Sequence, residues 1–171
     1  MRVGVISDTH AKADLTKKAL LKLKELKIEY LIHAGDIGSE EILSLMERME
    51  VPYTAVFGNN DFHLRGLERR YNLFLEPHYF KIEDRVVKLM HMPYYLTPDS
   101  DIIIYGHLHK FQLEFIKGRV FLNPGEICAR NKPYSEFAIL DIIGDGYAVE
   151  YFYRHVDSRE WSFKREVLRG G

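Results

Sequence analysis

The sequence predicts an α/β fold with mixed sheets, and two observations lead to this assignment. Between residues 1 and 61, short apolar runs alternate with amphipathic segments, as strands and crossover helices do in a parallel sheet. After residue 78 the apolar runs come in pairs around glycine or charged turn residues, as antiparallel hairpins do. The chain of 171 residues is long enough for one sizeable core. We therefore assign residues 1–171 to a single domain.

The first part of the chain reads as a βαβαβ unit. Predicted strands cover residues 3–7, 30–33 and 53–57, and their continuous rather than alternating apolar residues indicate burial on both faces. Residues 14–27 repeat apolar side chains at helical spacing and so predict a helix. Ser39 is a suitable N-cap for a second helix, which carries two glutamates in its first turn.

The remainder of the chain predicts antiparallel structure around one further buried strand. That strand, residues 102–105, is β-branched and aromatic and ends at a glycine. Hairpins are predicted from residues 79–82 with 86–90, 113–116 with 119–122, and 137–142 with 147–153. Asn123-Pro124-Gly125 is a tight turn by composition. Residues 154–171 have mixed charge and receive no assignment.

Composition excludes several functional classes. The net charge of −1 provides no general attraction to nucleic acid or to an acidic membrane. No apolar run approaches the ~20 residues that a spanning helix needs, and the first residues lack the pattern of a signal peptide. Cys128 is the single cysteine, so no disulfide can form within the chain. We expect a cytoplasmic protein.

Side chains of the types that bind metals follow the ends of five predicted strands. In open α/β sheets, ligands bind beyond the carboxyl ends of the strands, which places these side chains in one region. Glycine adjoins three of the groups and permits a sharp exit and close backbone approach. Each group alone has an ordinary explanation as turn or capping residues, but five together favour a shared site. The candidate metal ligands are Asp8, His10, Asp36, Asn59, His91, His107 and His109.

The donor types in this set suit borderline to hard divalent ions. Carboxylate, imidazole and amide oxygen together are typical ligands of Mn, Fe, Zn, Ni or Co. Four imidazoles and two carboxylates are enough for two ions, and a carboxylate such as Asp36 can bridge them. Two ions roughly 3.5–4 Å apart can clamp a phosphoryl group and provide a hydroxide at neutral pH.

These residues form an ordered set of motifs: Asp8-x-His10, Gly35-Asp36, Gly58-Asn59 with Asp61, His91, and Gly106-His107-x-His109. The set resembles the calcineurin-like metallophosphoesterases, and among them the small single-domain prokaryotic phosphodiesterases. The resemblance extends from residue 1 to about residue 153. It implies a four-layer αββα fold, in which two mixed sheets form a sandwich flanked by helices. It also implies a phosphoesterase, most closely a phosphodiesterase, that hydrolyses a small phosphoester with a hydroxide activated by two divalent ions.

The resemblance also assigns the ligands to two sites. One ion would be held by Asp8, His10, Asp36 and His109. The other would be held by Asp36, Asn59, His91 and His107, so that Asp36 bridges the pair.

Two departures from the family pattern bear on function. Many relatives carry a histidine after Gly-Asn that is thought to protonate the leaving group, whereas this chain has Asn60. Together with Asn59, Asn60 is predicted to contact the substrate, since an amide donates a hydrogen bond to a phosphoryl oxygen. No catalytic acid can be assigned. Asp61, which would have oriented such a histidine, is expected to make a turn hydrogen bond.

The second departure is a shortened crossover. Only residues 92–101 separate two strands predicted to be parallel, where a crossover usually needs about a dozen residues or more. Pro93 and Pro98 disfavour a helix there. We expect an irregular loop that leaves the site open, and exposed Tyr94 and Tyr95 would favour self-association into a homo-oligomer.

Four other residues have competing interpretations. His33 lies inside a strand and is expected to be a hydrogen-bonded structural residue. His63 follows the Asn-Asn-Asp turn, where it could instead face the substrate. Cys128 is expected to be an inert buried residue, and Arg130 is expected to be solvated, with contact to a phosphate as the alternative.

The alternative function is a non-catalytic protein-interaction module. The retromer subunit of this fold binds partner proteins and has a degraded metal site. Every ligand position of the family motifs is occupied here, which favours the enzyme. A repair nuclease is disfavoured by the modest length and the lack of basic charge.

Overall fold

The computed structural model describes residues 1–169 and contains two mixed β-sheets. The larger sheet has seven strands in the order β12-β11-β10-β1-β2-β3-β4. Strands β1, β2, β3 and β4 run parallel, with β4 at the edge, whereas β10, β11 and β12 extend the sheet by antiparallel pairing. The strands are β1 (Arg2–Ile6), β2 (Tyr30–His33), β3 (Tyr53–Val56), β4 (Leu73–Phe74), β10 (Tyr134–Ile143), β11 (Gly146–His155) and β12 (Ser162–Leu168).

The smaller sheet has five strands in the order β5-β6-β7-β9-β8. Its three inner strands are parallel, and each edge strand pairs antiparallel with its neighbour. The strands are β5 (His78–Ile82), β6 (Arg85–Leu89), β7 (Ile102–Ile104), β8 (Phe111–Ile116) and β9 (Arg119–Pro124).

Two apolar clusters hold the layers together. Alternate residues of the two sheets, such as Val5 and Ile32 facing Leu89 and Ile104, meet in the cluster between the sheets. The opposite face of the larger sheet packs against both α-helices, α1 (Ala13–Glu25) and α2 (Glu40–Glu47). The predicted sandwich of two mixed sheets is confirmed, and both of its α-helices lie on the outer face of the larger sheet.

Most predicted elements lie within one to three residues of the observed ones. The helix predicted for residues 14–27 is α1, and all three hairpins form. Ser39 is the N-cap residue of α2, although its side chain makes no capping hydrogen bond. The two-residue strand β4 and the 3-10 turns Phe62–Leu64 and Leu67–Arg69 were not predicted, because such short segments carry no periodicity.

The unassigned tail forms the edge strand β12. Six of its seven residues are exposed, so the strand lacks the alternation of apolar and polar residues that would identify it. Its backbone pairs with β11 from Tyr147 to Tyr153. Gly170 and Gly171, which belong to the same unassigned segment, lie outside the described residues.

Residues 92–101 contain no helix, as predicted, and a buried lysine anchors this segment. Lys88 on β6 points away from the apolar cluster between the sheets, and its side chain is only 1% exposed. Its Nζ donates hydrogen bonds to Thr97 Oγ1 at 2.8 Å and to Asp99 Oδ1 at 3.1 Å. The segment therefore lies on the outer face of the smaller sheet, which within residues 1–169 carries no α-helix.

The shortened crossover leaves aromatic side chains in water. Tyr94 is 72% exposed and Tyr95 is 49% exposed. Within the described part of the chain, no helix is long and apolar enough to cross a membrane.

Replacing Asp99 by alanine should destabilise the protein by about 1–3 kcal/mol, because the buried Lys88 ammonium would lose its carboxylate. Urea unfolding measures this change. Asp84→Ala is the control, since Asp84 is largely exposed beside Arg85 and its loss should change stability by less than ~0.5 kcal/mol. Adding Lys88→Met to Asp99→Ala should recover much of the loss. Equal stability of Asp99→Ala and Asp84→Ala would show that the pair does not anchor the segment.

Candidate metal centre

The seven candidate ligands follow strand ends of both sheets, where the ends of the two packed sheets come close together. Asp8 and His10 follow β1, Asp36 follows β2 and Asn59 follows β3, all in the larger sheet. His91 follows β6, and His107 and His109 follow β7, in the smaller sheet. The site therefore lies at the carboxyl ends of parallel strands from both sheets, as such sites do in open α/β folds.

The backbone at most of these positions is left-handed, which is uncommon for residues other than glycine. Such conformations cost of order 1–3 kcal/mol each and cluster at functional sites, where the surrounding structure maintains them. Five of the seven candidate ligands have φ between 42° and 67°: Asp8, His10, Asp36, His107 and His109.

Two glycines allow the strand ends to approach one another. A Cβ added to Gly58 would lie 2.2 Å from the backbone nitrogen of Asp36, and one added to Gly106 would lie 2.1 Å from Ser7 Oγ. Both distances are far below van der Waals contact. The close backbone approach predicted at these strand ends is confirmed, and it is what brings the ligands of the two sheets together.

The first cluster contains Asp8, His10, Asp36 and His109. His10 Nε2 lies 3.3 Å from Asp36 Oδ2 and 3.3 Å from His109 Nε2, and His109 Nε2 lies 3.1 Å from Asp8 Oδ1. Asp8 Oδ2 accepts hydrogen bonds from Ser7 Oγ and from the His107 backbone. Asp8 Oδ1, by contrast, is buried and receives no hydrogen bond from residues 1–169.

The second cluster contains Asp36, Asn59, His91 and His107. His91 donates from Nδ1 to the Ala34 carbonyl oxygen at 2.8 Å. Its Nε2 then faces two acceptors, Asn59 Oδ1 at 2.9 Å and Asp36 Oδ1 at 3.4 Å. The His107 ring lies edge-on to the His91 ring, with centroids 5.2 Å apart.

Hydrogen bonds and neighbouring charges shift the pKa values of ionisable groups in both clusters. Burial alone would raise the pKa of Asp36, but hydrogen bonding to His91 and Asn60 outweighs burial and lowers this pKa to about 2. The pKa of Asp8 is likewise lowered, because contacts with His10 and His109 outweigh its burial. Close contact with Asp8, followed by Cys128 and Glu126, raises the pKa of His109 to about 11. The two carboxylates are thus charged and attract positive charge.

Glu126 is a residue of the candidate site that the sequence analysis missed. It is fully buried, and its Oε2 lies 2.5 Å from His109 Nδ1. The same carboxylate accepts backbone N–H hydrogen bonds from Arg130, Asn131 and Lys132. The pKa of Glu126 falls to about 2 because hydrogen bonding to His109 and Cys128 outweighs burial. The tight turn predicted at Asn123-Pro124-Gly125 is wrong, because Asn123 and Pro124 belong to β9 and pair with β8. Glu126 follows directly, and its position in the sequence did not indicate contact with His109.

Asn60 and Asp61 stabilise the loop after β3. Asn60 donates to Asp36 from its backbone nitrogen at 3.0 Å and from its side-chain nitrogen at 2.7 Å. Asp61 accepts backbone hydrogen bonds from Ile37, Gly38 and Gly58, which confirms its predicted turn role.

His33 has the structural role that was predicted. Its Nδ1 accepts a hydrogen bond from the Gly35 backbone at 3.1 Å, and its Nε2 lies 2.9 Å from Thr9 Oγ1. Complete burial lowers the pKa of His33 to about 4 and keeps the ring neutral. His63 is exposed, and its Nε2 donates to the Gly38 carbonyl oxygen at 2.9 Å, outside both clusters.

Cys128 and Arg130 border the first cluster. Cys128 is buried, which raises the pKa of its thiol, and its Sγ lies 3.2 Å from Glu126 Oε2. His10, His109 and Cys128 offer ligand atoms within 4.8 Å of one another. Arg130 is exposed, but its guanidinium is not remote from the site, because Nη2 lies 3.2 Å from His10 Nδ1.

These residues fit divalent metal ions. Because Nδ1 of His109 is hydrogen bonded to Glu126, its Nε2 points at Asp8 Oδ1, which is buried and receives no hydrogen bond from the described residues. With Nδ1 committed to Ala34, His91 directs Nε2 at two oxygen acceptors. A cation placed among these atoms would take the place of the proton that the raised pKa keeps on His109. Fixing of the second ring nitrogen is typical of metal-binding histidines.

Comparison with known proteins decides the family. Residues 1–145 match the model of the calcineurin-like phosphoesterase superfamily domain. The chain belongs to this superfamily. It is 26% identical to the phosphodiesterase MJ0936 of Methanocaldococcus jannaschii, over 82% of this chain and 93% of that protein. It is 32% identical to a probable metallophosphoesterase of Methanothermobacter thermautotrophicus, over 73% of this chain and 76% of that protein.

Solved structures of this superfamily share the fold. A crystal structure of a Vps29 variant from Entamoeba histolytica superposes with a TM-score of 0.78 at 22% identity, covering 99% of this chain and 100% of the other. At this level of identity, the likeness establishes the fold alone.

Removing the Glu126 carboxylate should weaken metal binding about 10–100-fold, because His109 would lose the group that orients it. Competition between the protein and a chelating dye for Mn²⁺ measures the affinities of wild type and Glu126→Ala. Glu126→Gln should lie between them, since its amide oxygen still accepts a hydrogen bond from the ring. Glu114→Ala, at an exposed position on β8, is the control. Wild-type affinity in Glu126→Ala would contradict this role.

Proposed function

We propose that the protein is a metal-dependent phosphodiesterase that acts on a small phosphoester through two divalent ions. The proposal is supported by family membership and by a relative named a phosphodiesterase. The observation that carries the two-ion assignment is the position of Asp36. Its Oδ2 faces His10 of the first cluster, and its Oδ1 faces His91 of the second.

The ligand sets follow from this position. Asp8, His10, Asp36 and His109 would hold one ion, and Asp36, Asn59, His91 and His107 would hold the other. Bound there, the ions would supply an attacking hydroxide and neutralise charge on the phosphoryl group. Imidazole, carboxylate and amide donors suit Mn, Ni, Fe, Zn or Co and do not select one of them.

Residues outside the ligand set would position the substrate. Arg130 brings a flexible cation to the edge of the first cluster, where its guanidinium can reach a phosphoryl oxygen. Asn59 and Asn60 lie on the exposed side of the second cluster. The Asn60 amide, which donates to Asp36, is placed to share its second N–H with the substrate.

The same residues favour diesters over monoesters. Asn60 occupies the position where many relatives have a histidine, and an amide cannot donate a proton to a leaving oxygen. Diesters carry one fewer negative charge, so they depend less on a protonated group at this position.

The interaction-module alternative has less support. The curated relatives are named phosphodiesterase or probable metallophosphoesterase, which favours the enzyme. Six of the seven candidate ligands also have a donor atom within 3.4 Å of another candidate ligand. A homo-oligomeric state, a cytoplasmic location and the assignment of residues 1–171 to one domain stay predictions.

Asp36→Asn should be the most damaging single ligand substitution, because a bridging carboxylate serves both ions. We expect two ions per wild-type chain at saturating Mn²⁺ and loss of both in the variant, measured by elemental analysis after removal of free metal. Asp145→Asn, at a fully exposed position, is the control. One ion or none in the wild type would contradict the two-ion site, and two ions in Asp36→Asn would contradict the bridge.

The rate should depend steeply on the pKa of the leaving group. General acid catalysis typically contributes ~10²–10⁴-fold, and Asn60 cannot provide it. The measurement is kcat/KM for a series of substituted phenyl phosphates and their methyl diesters, with diesters expected to react faster. Asn60→His should recover part of the monoester activity and flatten the dependence, since Asp61 lies beside it. A flat dependence in the wild type would mean that another group, with His63 the first candidate, donates the proton.

A further inference from the structure

A cavity of about 360 Å³ adjoins the second cluster on the side of Asn59. The apolar side chains of Phe57, Phe62 and Leu75 form about half of its walls. Asn59, Asp61, Arg65 and Glu76 form the polar half. The volume lies within the range of small-molecule sites.

Phe62 is the most exposed large apolar side chain of the described residues. Its ring is 84% exposed, although it directly follows the Asn59-Asn60-Asp61 turn of the site. The backbone beneath it is held by Asp61, which accepts three backbone hydrogen bonds, and by the 3-10 turn Phe62–Leu64. A large aromatic ring on a rigid support at the edge of a charged centre is well suited to stack on a ligand.

The cavity is coupled to the candidate metal centre at two points. Asn59 lines the cavity, and its Oδ1 lies 2.9 Å from His91 Nε2. Glu76 also lines the cavity, and its Oε2 accepts backbone hydrogen bonds from His91 at 2.5 Å and from Met92 at 2.8 Å. A group attached to a phosphoryl group at the second cluster would therefore enter this cavity.

We propose that this cavity binds the ring of a nucleobase-like substrate, that is, a planar heteroaromatic group on the alcohol part of the phosphoester. This inference rests on the proposed function and adds a substrate class to it. Phe62 would stack on one face of the ring, with Leu75 beside it.

Arg65 favours a heteroaromatic ring over a purely apolar group. Its guanidinium lies 4.9 Å from the centroid of the Phe57 ring, so the floor of the cavity presents a delocalised cation beside aromatic carbon. A nucleobase has carbonyl oxygens at its edge that accept hydrogen bonds from a guanidinium, whereas an alkyl chain offers this group no acceptor.

The test compares two ligands that share one phosphate group and differ in the base. Uridine 5′-monophosphate and ribose 5-phosphate are titrated calorimetrically into wild-type protein loaded with Mn²⁺, and the ratio of their dissociation constants isolates the contribution of the ring. Stacking of a base on an aromatic side chain is worth ~1–3 kcal/mol, so the nucleotide should bind about fivefold tighter or more.

Phe62→Ala should bring this ratio close to one while ribose 5-phosphate binds as it does to the wild type. Phe163→Ala is the matched control. Phe163 is also an exposed phenylalanine, 57% accessible, but it lies on β12 at the opposite edge of the larger sheet from β4. This control should keep the wild-type ratio.

Several outcomes would overturn the assignment of the cavity. Equal affinities of the wild type for both ligands would do so, and so would an equal loss of both in Phe62→Ala, which would show a structural role for Phe62. An unchanged ratio in Phe62→Ala together with a changed oligomeric state in sedimentation would identify an interface instead.

Failure of the proposed function would look different. A nucleotide that binds through Phe62 without metal, while ribose 5-phosphate does not bind at all, would support the cavity and contradict the metal-dependent phosphate site. Absence of binding by either ligand to the loaded protein would contradict both.

Discussion

Two carboxylates, Asp8 and Asp36, are buried almost completely at the junction of the two sheets, and the rest of the structure accommodates their charge. Burying ionised carboxylates is unfavourable unless they are paired or hydrogen bonded. Here histidines that follow strands of both sheets lie next to the two carboxylates and offset the cost of burying them. The same contacts therefore also link the two sheets. Left-handed backbone occurs at five of the candidate ligand positions, where the surrounding structure maintains it.

A second layer of contacts fixes the direction of each histidine. Glu126 orients His109, and the Ala34 carbonyl oxygen orients His91, so that the remaining ring nitrogens point at the carboxylates. Glu126 also binds three successive backbone N–H groups of the loop that carries Arg130. The buried carboxylate of Glu126 therefore fixes both the orientation of His109 in the first cluster and the position of the loop that carries Arg130.

The open side of the centre results from the shortened crossover. Because Lys88 and Asp99 fix residues 92–101 on the outer face of the smaller sheet, no helix covers the site from that direction. Glu76 links the start of this segment to the cavity beside Asn59. Phe62 lies beside this cavity on the 3-10 turn Phe62–Leu64, which is the support that the proposed stacking requires.

The sequence by itself determined the order of most strands and helices and the set of candidate ligands. Apolar runs with helical or strand periodicity identify elements within about ten residues, and polar residues at their carboxyl ends then share an edge. Only the tertiary structure decided contacts that depend on how the two sheets register. Glu126 meets His109 across 17 residues and Arg130 meets His10 across 120 residues, with no local pattern to predict either. The tertiary structure also decided the edge strand β12, because an exposed strand lacks the alternation of apolar and polar residues that would predict it. It decided which histidine each Asp36 oxygen faces as well, since the sequence does not indicate how a carboxylate is oriented.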